Sequence, residues 1–184
     1  MNYFFFLAKE GVTSSLSIPK FQNSGKFVKD LKLLGAKIKN GKWNFYEPES
    51  SQSDYFWSLD STDKNKNDIF FIASADKLDP HKLKDFNDFS DTFPDFRANI
   101  SVRIKTGAFS SYQSEYPFSM TVKKGAIYSS ISSLGNFNAK ENGVFIKNIY
   151  HLPIEESFQG YIYDYENSRI LKSFDLITNR CNFV

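Results

Sequence analysis

Apolar and polar side chains alternate most regularly over residues 100–105. Ile100, Val102 and Ile104 fall on one face of an extended segment there, and Ser101, Arg103 and Lys105 on the other. Gly107 closes this run. A polar, aromatic stretch, Ser110–Pro117, reads as a loop and leads into a second alternating run at Phe118, Met120 and Val122. Loops carried between two firm strands are where rigid scaffolds place binding and catalytic groups.

The clearest local signal elsewhere is the hairpin over residues 36–46. Asn40-Gly41 suits a two-residue type I′ turn, in which both central residues need positive φ. That turn pairs Lys39 with Lys42, Ile38 with Trp43 and Ala36 with Phe45, so apolar side chains oppose one another, as a half-buried ribbon requires. Further strands are predicted at 2–8, near 16–18, and at 55–59, 69–73, 126–131, 144–150, 160–165, 170–176 and 181–184. The run Ile69–Ala73 is apolar throughout, the pattern of a strand buried on both faces.

Two segments read as short helices. Over 25–35, Phe27, Leu31 and Leu34 stand at helical spacing with lysines opposite, and Gly35 supplies a stop. Over 80–86, Asp79-Pro80 supplies a cap followed by proline in the first turn. The expected fold is therefore mainly β: one domain over 1–184, an antiparallel β-sandwich or jelly-roll with these two helices.

Composition narrows the function classes. The 184 residues are 41% hydrophobic and 24% charged, as in a folded domain with a real core. Net charge is +2, but residues 1–46 carry eight lysines against two acids, and residues 47–95 twelve acids against five lysines. The basic residues are spread singly among apolar ones, which argues against a nucleic-acid footprint. Cys181 is the only cysteine, so neither an internal disulfide nor a cysteine metal cluster can form. The N-terminal apolar run of about six residues is too short for a signal-peptide core or a membrane span, so the expected location is cytoplasmic, with no membrane partner.

No phosphate-binding loop, dinucleotide fingerprint, nucleophile elbow or metalloprotease helix is present, and two histidines exclude a three-histidine zinc site. No metal or cofactor is expected. The acids Asp85, Asp88, Asp91 and Asp95 lack calcium-loop spacing and interleave with phenylalanines, which reads as an amphipathic stretch. His81 reads as an exposed residue in a first helical turn.

Candidate chemistry concentrates in the 110–116 loop. Ser111, Tyr112, Gln113, Glu115 and Tyr116, with Arg103 or Arg97 on the preceding strand, combine aromatic faces, an amide and a carboxylate. These suit the apolar C–H faces and hydroxyl ring of a sugar. The leading expectation is a non-catalytic domain that binds a small polar ligand, above all a carbohydrate or sugar derivative. Two alternatives stand beside it. One is a small-molecule or sugar-derivative enzyme with His151 as base, oriented by Glu155 or Glu156, and Glu115 as acid or orienting carboxylate. The other is a protein-interaction module, toxin-neutralising or assembly-forming, which would expose an aromatic patch or a strand edge. Tyr161, Tyr163 and Tyr165 alternate and are expected on one strand face, as a binding platform or a stabilising ladder.

Overall fold

The computed structural model describes residues 3–22, 24–28, 30–74, 96–105, 107, 109–113, 138–139, 142–147, 150 and 152–184; for 73–74 and 109–113 it describes the backbone. Among these residues every regular element is a strand. In chain order they are β1 (Tyr3–Phe5), β2 (Val12–Pro19), β3 (Leu31–Lys39), β4 (Lys42–Tyr46), β5 (Ser51–Gln52), β6 (Phe56–Asp60), β7 (Ile69–Ser74), β8 (Asn99–Ile104), β9 (Phe109–Gln113), β10 (Phe145–Lys147), β11 (Ser157–Asp164), β12 (Arg169–Ile177) and β13 (Cys181–Phe183).

Two antiparallel sheets, ordered β1-β7-β3-β4 and β5-β6-β2-β8-β9, pack face to face. Phe4, Leu33, Phe70 and Ile72 from the first meet Leu16, Ile18, Trp57, Leu59 and Ile100 from the second, with Phe6, Phe96 and Ala98 completing the layer. Each such side chain stabilises the fold by about 1.5–3 kcal/mol when fully buried. The first sheet is also buried on its other face, through Tyr3, Leu34, Ala36, Trp43, Phe45, Ile69 and Phe71. Burial on both faces explains the unbroken apolar run at residues 69–72. The mainly β, sandwich-type architecture expected from the pattern is the one observed.

The 36–46 hairpin has the predicted register, with Ile38 opposite Trp43 and Ala36 opposite Phe45. Asn40 and Gly41 sit at φ 53° and 70°, the left-handed region that a type I′ turn demands.

The helix expected over 25–35 is not formed. Phe21 and Phe27 are joined by an antiparallel bridge, Gln22 N–H donates to Lys26 O (2.8 Å), and Leu31 begins strand β3. Asp30 at φ 61° is in a conformation that a helix interior excludes. Leu31, Leu33, Leu34 and Ala36 imitate helical spacing because β3 lies between β7 and β4 and buries both of its faces. The other predicted helix, 80–86, lies outside the described residues, as do the strand predicted at 126–131, the acids Asp85, Asp88, Asp91 and Asp95, and His81.

The C-terminal part adds two ribbons, β10–β13 and β11–β12. The first docks on the sandwich through side chains. Lys147 Nζ donates to the carbonyls of Asn67 (2.9 Å) and Asp68 (3.2 Å), Cys181 N–H donates to Asn67 Oδ1 (3.1 Å), and Lys9 Nζ lies 3.5 Å from the Phe183 ring centroid. Two buried or half-buried asparagines stitch the same region. Asn179 donates to the carbonyls of Leu152 and Ile154 and accepts from Tyr150 N–H, and Asn182 bridges Ile177 and Ile146.

Candidate functional site

A groove of about 710 Å³ opens beside the β5–β6 edge of the five-stranded sheet. Local hydrogen bonding builds it from three separate segments. Lys20 N–H donates to Tyr55 O (2.8 Å) and Val28 N–H to Lys20 O (3.1 Å), which ties Val28 through Lys20 to the start of β6. Phe56 N–H donates to Ser53 Oγ (3.1 Å), turning the chain so that Tyr55 stands out of the sheet.

Buried Trp57 forms part of the groove lining, with Val28 and Leu31. Phe27 and Tyr55 line it as well, at 43% and 60% exposure, and meet edge to face with ring centroids 6.3 Å apart. Their exposure matters because two large aromatic rings left in water beside a concave surface offer a ligand a desolvation gain. The polar lining is Lys20, Asp30, Gln52 and Asp54. Lys20 is held by Gln52 Oε1 (3.3 Å) and Ser53 O (2.7 Å), with its ammonium 5.0 Å from the centroid of a Trp57 ring. Carboxylates that accept, an ammonium that donates and an amide that does both thus surround an aromatic patch.

Of the residues singled out by sequence, Ser111, Tyr112 and Gln113 do not lie in a loop. They belong to β9, which pairs with β8 across the turn at Gly107 (φ 93°); Tyr112 is the partner of Ile100 and Gln113 of Asn99. The reason is the tight turn, which starts the return strand at Phe109 and consumes residues that composition marked as loop. β9 is at the opposite edge of the five-stranded sheet from the groove, three strand spacings or about 14 Å from β6. Arg103 is exposed on β8, opposite Thr13 and Phe109. Glu115, Tyr116 and His151 lie outside the described residues. Glu155 takes a two-pronged contact from Arg180 (2.9 and 3.0 Å), which holds its carboxyl below the usual carboxylate range. Of the three tyrosines, Tyr161 and Tyr163 share a face of β11, while Tyr165 lies in the turn after it.

The groove residues carry no joint signal along the chain, because Lys20, Phe27 and Tyr55 meet only once β2 and β6 are neighbours. One local signal exists. Tyr55, Phe56 and Trp57 are consecutive, and a strand cannot turn three successive rings to one core face.

A second polar cluster lies where the C-terminal ribbon docks. Tyr46 Oη donates a hydrogen bond to the Asp68 carboxylate. Burial and this bond hold the Tyr46 phenol far above its ordinary range, and burial pushes the Asp68 carboxyl up against the pull of Tyr46, Lys37 and Lys147. Burial lowers the Lys147 ammonium to about 8 and raises the Cys181 thiol. Lys147 and Cys181 bond to Asn67 and Asp68 across the junction, so the cluster acts as an anchor. Among the described residues no group of three histidines, cysteines or carboxylates is placed to hold a metal, and no helix is long and apolar enough to cross a membrane. Comparison with protein-family models, with curated proteins and with solved structures gives no match to this chain.

Proposed function

We propose that the chain is a carbohydrate-binding β-sandwich whose ligand occupies the groove formed by Phe27, Tyr55, Trp57, Lys20, Asp30, Gln52 and Asp54. The observation that carries this reading is the pairing of exposed Phe27 and Tyr55 with carboxylate, amide and ammonium groups along one concave surface. A pyranose presents apolar C–H faces that cover aromatic rings and equatorial hydroxyls that both donate and accept. The rim supplies both complements. An apolar ligand would leave Asp30 and Asp54 desolvated without partners, which is costly. A strongly anionic ligand would face two carboxylates, with Lys20 the one cation of the described lining to offset them. Neutral or amino sugars suit this balance. The reading is of binding, with Asp30 and Asp54 as acceptors for the ligand's hydroxyl groups.

The test is a titration of the whole chain with a panel of neutral and amino mono- and oligosaccharides, followed by tryptophan fluorescence because Trp57 lies in the groove. Tyr55→Ala is expected to weaken binding by about tenfold or more, in line with loss of an aromatic anchor, whereas Tyr112→Ala leaves it unchanged. Binding lost with Tyr112→Ala and kept with Tyr55→Ala would move the site to β9. No response to any sugar would remove the carbohydrate reading.

A further inference from the structure

We propose that the β11–β12 ribbon is a dimerisation arm, packing its Tyr161–Tyr163–Ile170 face against the same face of a second copy of this chain. The two strands pair from Ser157 with Ile177 to Asp164 with Arg169, an arm about 25 Å long by strand rise. A two-stranded ribbon is marginal alone in water and gains stability when a face is covered.

Its two faces differ. On one, the Phe174 ring sits directly over Gly160, where an added Cβ would clash with it, and Lys172 and the Asp164–Arg169 ion pair provide charge. On the other, Tyr161 is 55% exposed, Tyr163 53% and Ile170, directly across from Tyr163, 56%. The single charge within this face's paired positions is Asp175, which accepts a hydrogen bond from Gln159. Tyrosine-rich, charge-poor patches are the composition of interface cores. At the tip, Leu171, left unpaired by a bulge, is 56% exposed and Tyr165 87%.

The size and charge of the patch favour a second copy. These five side chains expose roughly 600 Å² per chain, taking about 200 Å² for a fully exposed large side chain. Two copies would together bury about 1,200 Å², the lower bound of specific, stable interfaces. A strongly charged partner would find a single carboxylate on this face, Asp175, already engaged by Gln159, whereas a two-fold contact needs only that the largely apolar face complement itself. Ring and aliphatic groups in a row do so when one copy's Ile170 lies against its partner's tyrosines. A net charge of +2 opposes such association weakly.

Sedimentation equilibrium of the full chain, from low to high micromolar concentration, tests this. The expected mass rises to about twice 21.2 kDa. Tyr161→Lys combined with Tyr163→Lys is expected to weaken the dimer about thirtyfold or more, the cost of losing an interface anchor, while Lys172→Glu on the opposite face does not. The milder pair Tyr161→Ser and Tyr163→Ser is measured alongside, and each variant must keep the far-ultraviolet circular dichroism of the parent. A chain that stays at 21.2 kDa at high micromolar concentration overturns the proposal. So does a dimer that neither folded tyrosine variant weakens, or one that Lys172→Glu weakens equally.

Discussion

At the scale of single residues, burial next to charge has the sharpest consequences, and Tyr46 and Lys147 give them opposite signs. Tyr46 keeps its proton in the fold well beyond the ordinary value of 10.0, because ionising it would place a phenolate in a desolvated site beside the Asp68 carboxylate. The folded state therefore holds a proton that the unfolded chain loses, so this contribution to stability is full below pH 10.0 and declines as pH rises above it. Lys147 titrates near 8 in the fold and at 10.5 when free, so across that window the unfolded chain binds more protons and stability rises with pH. Urea unfolding measured at successive pH values separates the two. Lys147→Met should remove the gain between pH 8 and 10.5, and Tyr46→Phe should flatten the decline above pH 10.0. Identical profiles for wild type and both variants would mean that neither group is held as its surroundings imply.

At the scale of elements, strand β3 shows how a pattern can be read correctly and assigned wrongly. Leu33 packs between the sheets, while Leu34 and Ala36 pack on the other side, so burial on both faces erases the period of two that marks a half-buried strand. Gly35, a helix stop by pattern alone, lies opposite Tyr46 and leaves room for its ring. A Cβ at that position would lie 2.6 Å from Tyr46 Cζ and 2.9 Å from its hydroxyl. Gly35→Ala should therefore cost about 2–3 kcal/mol, at the upper end for overpacking, and should displace the hydroxyl from Asp68. Urea unfolding checks the magnitude, and a cost below that of an ordinary surface substitution would refute the contact. The 36–46 hairpin was legible down to its register because turn chemistry and alternation agree there without help from distant residues. The groove was not legible, since Lys20, Phe27, Gln52 and Tyr55 are joined by sheet order, a property of the whole chain. The 110–113 segment failed for a related reason: serine, tyrosine and glutamine are ordinary residues in an edge strand, and composition alone cannot separate an edge strand from a loop.

At the scale of the molecule, the sandwich and the C-terminal ribbons differ in how they are held. The sandwich shares an apolar layer of large side chains, whereas the β10–β13 ribbon is tied to it by Asn67, Asp68, Lys147 and Cys181. Apolar layers unfold cooperatively, while a few polar ties between units let one unit open with the other intact. Asn67→Ala takes the acceptor from Cys181 N–H and leaves the carbonyls that hold Lys147, so it should cost about 1–2 kcal/mol, as expected for one part-buried donor left unsatisfied. Native-state hydrogen exchange then distinguishes two arrangements. Faster exchange confined to β10 and β13, with β3 and β7 keeping their protection, identifies the ribbon as a separately opening unit. Equal acceleration of β3, β7, β10 and β13 would instead make the polar anchor part of the global core, because all of those amides move together only when the substitution weakens the fold as a whole.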